Sequence, residues 1–329
     1  IGRAAALSRE RLREPAAVRA ALDRLIPDFT GNGVARADLV IEAVPERIDV
    51  KRQVYAAVEP RLKDGAILAT NTSSIRLEAL RDGLEDPGRL VGLHFFNPVA
   101  RMQLVEVVSH DQARAETLAG ARAFCGQIDR LPVPVKSAPG FLVNRALTPY
   151  LLEAMAMLDE GVKAETIDRA AEAFGMPMGP IELADRVGLD ICLDVAAMLG
   201  DALDRPLAQV PDWLREKVES GDLGRKTGKG LYDYDGGKPK KDDDAPEPDA
   251  AMADRLMLPL LGACVACLRE GVVEDPDLID AAMVFGTGFA PFLGGPLFHA
   301  RARGIDDVVA TLERLSQTHG PRFTPDDGW

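Results

Sequence analysis

Four polar side chains in this sequence have the type and the setting to move a proton. His94 lies in the apolar run LVGLHFF, and Glu106 interrupts LVEVV. Ser73 belongs to the polar cluster Thr70-Asn71-Thr72-Ser73-Ser74, which follows another apolar run. Asn144 falls in the first turns of a helix predicted after Pro139-Gly140. Taken singly, each has a plain structural role: an N-cap, a satisfied core histidine, a solvent-facing carboxylate, a helix cap. Together they carry more. A carboxylate flanked by Leu104-Val105 and Val107-Val108 is expected to be partly buried, and a buried carboxylate needs a partner. His94 is twelve residues upstream, on the preceding strand, within side-by-side reach. A Glu bonded to one ring nitrogen fixes the tautomer and stabilises imidazolium. The other nitrogen is then free as a general base. Ser73 and Asn144 would hydrogen-bond a reacting oxygen. Such a set suits taking a proton from an alcohol while its hydride leaves to a cofactor.

Strands and helices must bring these residues together. The runs at 38–44, 66–69, 90–96 and 104–108 are short and apolar, as for strands buried on both faces, and 132–136 is a fifth. Apolar spacing predicts helices over 8–26, 48–62, 77–84 and 113–126. Strands alternating with helices predict a doubly wound α/β domain, whose ligands gather at strand ends. After Pro139-Gly140 the pattern is all-α, with helices expected over 141–160, 164–174, 180–200, 210–220 and 251–270. The expected organisation is an α/β domain over 1–135, a helical module over 136–235, a charged Gly/Pro-rich linker over 236–250, and a second helical module over 251–329. The two modules read as copies. Pro149, Glu160 and Gly161 match Pro259, Glu270 and Gly271 at an offset of 110. Ile167-Asp168 matches Ile279-Asp280, Phe174-Gly175 matches Phe285-Gly286, and Gly188-Leu189-Asp190 matches Gly304-Ile305-Asp306. Such copies are expected to pack on each other as the subunits of a symmetric dimer would.

Composition narrows the classes. The chain has 52 acidic and 39 basic residues among 329, a net charge of -13, which argues against nucleic acid as a partner. No apolar run reads as approaching the ~20 residues needed to span a bilayer, so no transmembrane segment is expected. Four cysteines are too few for a disulfide scaffold and point to a reducing, cytoplasmic setting. Gly31-x-Gly33 lacks a third glycine and precedes a strand, so it reads as a turn. Gly224–Gly230 (GRKTGKG) has three residues between its first two glycines where a phosphate loop needs four. Cys264-x-x-Cys267 lies in a helical apolar stripe and reads as two core thiols, so no metal is expected. His110, His299 and His319 read as surface or loop residues.

A resemblance extends this reading. DLVIEAVPERIDVK, ATNTSS, GLHFFNPVARMQLVEVV, PGFLVNR, GMPMGPIELADRVGLD and GRKTGKGLYDY resemble, in order and spacing, the L-3-hydroxyacyl-CoA dehydrogenase family. The doubled helical stretch resembles the C-terminal half of multifunctional fatty-acid oxidation α-subunits. The resemblance implies oxidation of a (3S)-3-hydroxyacyl-CoA to the 3-ketoacyl-CoA with NAD as cofactor, and a thiolase subunit as a partner of the full complex. It makes His94 the catalytic base and Glu106 its electrostatic partner, with Ser73 and Asn144 positioning the substrate oxygen. It places Val44, Glu46, Lys51, Asn71, Ser73 and Asn97 at the cofactor, and Lys226 beside it from the helical side. It also implies a departure. The family's Rossmann-like sheet opens with a strand, a GxGxxG turn, a helix and a second strand, and this first βαβ unit is missing before Ile1. A truncated sheet of this kind is expected to bind NAD weakly by itself, and the chain is expected to be a piece of something longer.

Overall fold

Short apolar runs build a five-stranded sheet in the first part of the chain; its three central strands are buried, while its two edge strands are partly exposed. The structure, a computed structural model, describes residues 2–12 and 14–329. β1 (Leu39–Glu42), β2 (Ile67–Thr70), β3 (Leu90–Phe95), β4 (Leu104–Ser109) and β5 (Leu131–Lys136) lie side by side in that order. β1, β2 and β3 are parallel, with α3 (Ile48–Val58) and α4 (Leu77–Arg81) in their connections. β4 runs antiparallel to β3, and β5 parallel to β4 after α5 (Ala115–Gln127). The sheet is therefore mixed. The segment 96–103 is too short for the crossover that a parallel neighbour needs, so the chain returns antiparallel. At the start, the helix predicted over 8–26 is instead two, α1 (Gly2–Arg11) and α2 (Pro15–Asp23). Pro15 lacks the amide that a helix interior uses, and it takes the first turn of α2. Arg13, within the predicted span, lies outside the described residues.

Alternation along β3 and β4 sorts their side chains. Val91, Leu93, Val105 and Val107 join Ala121 and Cys125 of α5 in one cluster. Leu90, Leu104 and Val108 face the other way, into a core that continues through the helical part. His94 and Glu106 share this second face. Gly92, opposite Val108, lies on it too. A Cβ there would stand 2.7 Å from the Val108 Cβ, so glycine lets β3 and β4 close just before His94.

The helical part begins with α6 (Val143–Asp159), α7 (Ala164–Phe174), α8 (Pro180–Val187), α9 (Leu189–Ala202) and α10 (Asp212–Glu219). The helix expected over 180–200 is broken at Gly188, whose φ of +108° side chains rarely allow. A second set follows: α11 (Ala250–Arg269), α12 (Pro276–Thr287), α13 (Pro296–Arg303) and α14 (Ile305–His319). α11 is long and apolar enough to cross a membrane, contrary to the expectation that no run is. It is mostly buried within the protein and packs along α6.

α6 and α11 are cross-linked reciprocally. Arg145 of α6 pairs with Glu270 just past α11 at 2.6 Å, and Arg255 of α11 pairs with Glu160 just past α6 at 2.6 Å. Arg255 also reaches Glu153 at 2.6 Å, a carboxylate that Arg322 shares. The next helices make similar contacts. Asp168 accepts the Ile181 amide at the start of α8, and Asp280 accepts the Leu297 and Phe298 amides at the start of α13. One expected correspondence shifts. Gly175 ends α7 with φ +115°, and its counterpart ending α12 is Gly288 at +77°; Gly286 sits inside α12 against Leu104.

The segment 236–250 is not a free linker. After the hairpin of β6 (Tyr234–Asp235) and β7 (Lys238–Pro239), Lys241 pairs with Asp168 at 3.1 Å and Glu182 at 3.0 Å. Arg169 donates to the Ala245 carbonyl and Thr166 to that of Pro246. The segment is a strap across α7 and α8. Its charges, which read as solvent-exposed in the sequence, meet opposite charges on the helices.

Replacing Arg255 by alanine removes one of the two cations from Glu153, which is 1% exposed. The expected loss is about 3 kcal/mol of unfolding free energy. It should appear as a lower urea midpoint at unchanged slope. A shift too small to measure would show that the crossed pairs do not hold α6 to α11.

Candidate functional site

Two strands deliver the central pair. In the β3–β4 register His94 stands directly opposite Glu106, and both side chains rise from the same face. His94 Nδ1 lies 2.6 Å from Glu106 Oε2. Glu106 is fully buried and His94 is 4% exposed. The second carboxylate oxygen, Oε1, accepts the amides of Leu142 and Val143, each at 3.0 Å. These amides open α6, where a helix offers unpaired N–H groups and a field that favours negative charge.

The backbone is bent to make this possible. Gly140 (φ +70°) and Phe141 (φ +52°) are both left-handed, and the turn they make directs the next amides toward Glu106. In that region a side chain costs on the order of 1–2 kcal/mol. Phe141 offsets that by complete burial, with its ring centroid 5.7 Å from that of His94. Phe96 packs on the imidazole too, at 4.6 Å. A carboxylate can only accept, so Glu106 fixes the proton of neutral His94 on Nδ1. Nε2 makes no hydrogen bond among the described residues.

Ser73 and Asn144 meet beside this pair. Asn144, in the first turn of α6, donates from Nδ2 to the Ser73 carbonyl at 3.1 Å. Ser73 lies in the loop after β2, and that loop is tied to Glu46. Glu46 Oε1 accepts from Thr72 Oγ1 (2.5 Å), Ser73 N (2.8 Å), Ser74 N (3.0 Å) and Ser74 Oγ (3.0 Å). Burial works to raise the Glu46 carboxyl, but the Thr72 hydrogen bond, the Lys51 charge and the two amides outweigh it and hold it below the ordinary carboxylate value. The Ser73 hydroxyl takes no part in these bonds.

The other residues assigned to a cofactor cluster at the ends of β1, β2 and β3, where an α/β sheet binds nucleotides. The Val44 amide donates to Glu42 Oε1 at 2.7 Å. Lys51 is fully buried, 2.8 Å from Glu42 and 3.2 Å from Glu46. The hydroxyls of Tyr55 and Thr70 complete the shell of Glu42, and burial raises the Tyr55 phenol above its ordinary value. Asn71 Oδ1 accepts the Phe95 amide at 3.0 Å, and Asn97 is exposed before Pro98. Lys226 is held on the helical side instead. Its ammonium pairs with Asp190 at 2.5 Å, beside Gly188. The sequence reading missed Glu42 and Phe141. The turn signal Pro139-Gly140 before a helix was the only trace of the second.

An apolar groove starts at Asn144. It runs along one face of α6 through Leu147, Leu151 and Met155, with Ile191 and Val195 of α9 as the opposite wall.

Three histidines prove less exposed than expected. His110 is buried, its Nε2 3.2 Å from the Leu90 carbonyl, and burial lowers its pKa. His299 is half-buried and packs edge-on to Phe174, and His319 is half-buried near Phe323. No cluster of three metal-ligating residues occurs among the described residues. Cys264 and Cys267 are free and buried, and burial pushes the Cys267 thiol up to about 12.

Known proteins match this chain along most of its length. Residues 3–138 match the NAD binding domain of 3-hydroxyacyl-CoA dehydrogenase, and residues 140–234 match the C-terminal domain of the same enzyme. The fatty acid oxidation complex subunit alpha of Vibrio cholerae serotype O1 is 39% identical over 307 residues, 90% of this chain and 43% of the relative. The chain thus spans less than half the length of such curated relatives. Among solved structures, 3-hydroxybutyryl-CoA dehydrogenase from Escherichia coli K12 superposes with a TM-score of 0.85 at 27% identity, covering 98% of this chain and 88% of that one. FadB2 of Mycobacterium tuberculosis superposes at 0.67 with 35% identity, covering 70% of this chain and 82% of that one.

Glu106→Gln isolates what the carboxylate does. The glutamine oxygen can still accept the Leu142 and Val143 amides, which leaves its NH2 facing His94. The imidazole must then accept at Nδ1 and carry its proton on Nε2. We expect nitrogen-15 spectra to show the Nδ1–H form in the parent and the Nε2–H form in the variant. Stability should fall by about 1 kcal/mol as charge-assisted bonds become neutral ones. An unchanged tautomer would overturn this account of the pair.

Proposed function

The chain belongs to the 3-hydroxyacyl-CoA dehydrogenase family, and on that premise we propose that it carries the centre that oxidises (3S)-3-hydroxyacyl-CoA to 3-ketoacyl-CoA in fatty-acid β-oxidation. The observation that carries this reading is the state of His94. Its Nδ1 is tied to a buried carboxylate, and its Nε2 makes no hydrogen bond among the described residues. In this role Nε2 takes the proton of the substrate 3-hydroxyl. Glu106 stabilises the imidazolium that forms and keeps its own charge. Ser73 and Asn144 hold the substrate oxygen as it turns from hydroxyl to carbonyl. In the reverse direction the imidazolium returns the proton.

The matched domain is an NAD-binding one. Val44, Glu46, Asn71, Ser73 and Asn97 would hold the cofactor, with Lys51 ion-paired to Glu46 and Lys226 approaching from the helical side. NAD, when bound there, supplies the hydride acceptor. The pyrophosphate end fits less well. None of the described strands is followed by a glycine turn that opens a helix.

The apolar lining of the groove at Asn144 supports an acyl chain over a small β-hydroxy acid. The crossed pairs Arg145–Glu270 and Arg255–Glu160 support a duplicated helical module packed as an intrachain pseudo-dimer, because residue and partner exchange places as in an isologous interface. The four free, buried cysteines accord with a cytoplasmic protein. A thiolase subunit is the partner this reading implies.

Two measurements test the proposal. In the full-length protein, reduction of acetoacetyl-CoA by NADH should be observed, and His94→Ala should lower kcat by about 10²- to 10⁴-fold. Inactive full-length protein would favour a non-catalytic assembly module. Unchanged activity in the variant would remove His94 from the mechanism. NADH titrated into residues 1–329 should bind weakly, and low-micromolar binding would show that the pyrophosphate turn is dispensable.

A further inference from the structure

Glu46 is bonded in a way that a cofactor contact does not require. One of its oxygens, Oε1, collects four donors from three consecutive residues, Thr72, Ser73 and Ser74. The charge of a carboxylate suits so crowded a position, because hydrogen bonds to an ionised acceptor are the stronger kind. The other oxygen lies 3.2 Å from Lys51 Nζ, an ammonium wholly inside the protein and shared with Glu42. Glu42 is itself fixed by Thr70, Tyr55 and the Val44 amide. A relay therefore runs from the end of β1, through the start of α3, to the loop after β2. Thr72 closes the loop, since its Oγ1 donates to Glu46 and accepts the Ile75 amide at 2.9 Å. Ser73 is then held on both sides. Its amide goes to Glu46 and its carbonyl accepts from Asn144 at 3.1 Å. Its hydroxyl alone is left for a ligand.

We propose that Glu46 is a positioning residue, which anchors the loop 72–75 and thereby sets the Ser73 hydroxyl against the substrate oxygen. The effect on turnover rests on the function proposed above; the anchoring of the loop does not. A carboxylate at 46 acts on the reaction through Ser73, whether or not it also meets the cofactor. The Glu46 side chain is 37% exposed, so its replacement leaves the packed core in place.

Amide hydrogen exchange without nucleotide separates anchoring from cofactor contact. In Glu46→Ala, exchange at Ser73 and Ser74 should speed up by about tenfold or more, while amides of β3 and β4 keep their protection. Glu46→Gln retains an accepting oxygen and should show a smaller increase. Unchanged exchange at Ser73 and Ser74 in Glu46→Ala would overturn the proposal. In the active full-length protein, Glu46→Ala should lower kcat by about 10- to 100-fold, with a much smaller change in KM for NADH. A raised KM at unchanged kcat would overturn it in favour of simple cofactor contact. If the full-length parent shows no dehydrogenase activity, the proposed function fails, and the exchange result still decides the anchoring.

Discussion

The site depends on one buried carboxylate. Glu106 joins three things that the chain makes separately: a histidine on the neighbouring strand, the first two amides of α6, and the sheet face that carries them. A charge this deep is expensive unless each oxygen is bonded. Much of the local architecture meets that demand. The antiparallel turn of β4 puts Glu106 beside His94. Gly92 lets the two strands close. The left-handed pair Gly140–Phe141 turns α6 so that its free amides reach Oε1.

The helical part then holds α6 in that position. Arg145, next to Asn144, is tied to Glu270 of the second helical set, and the far end of α6 is tied at Glu160 by Arg255. Gly286 of α12 lies against Leu104, two residues before Glu106 on β4 and on the same face. The second helical set therefore braces the strand that carries Glu106 and the helix whose amides bind its carboxylate, although it contributes none of the four central side chains.

Which parts of this could be read beforehand follows from how local each cause is. The His94–Glu106 pairing was legible, because a twelve-residue spacing across a short return brings two strand residues face to face. The three central strands were legible because burial on both faces leaves an apolar run. The breaks at Pro15 and Gly188 left a local mark that periodicity overrode. The Glu46 anchor left none, since its donors are two backbone amides and two hydroxyls some 26–28 positions away. His110 and the strap 236–250 misled for a shared reason. Polar residues suggest solvent, but here a backbone carbonyl meets His110 and opposite charges meet the strap. α11 misled in the other direction. A helix enclosed on most sides by its own protein has the composition of one enclosed by lipid.

The overall charge of -13 says little about what this centre binds, because its buried acids are spent internally. Glu42 and Glu46 are balanced by Lys51 and by hydroxyl and amide donors, and Glu106 by two amides and an imidazole. What remains for a ligand is a neutral ring nitrogen, a serine hydroxyl and an asparagine side chain. Such a set offers hydrogen bonds without a fixed charge. In the proposed reaction it could therefore hold an oxygen equally as an alcohol or as a ketone, with Glu106 placed to meet the imidazolium formed at His94.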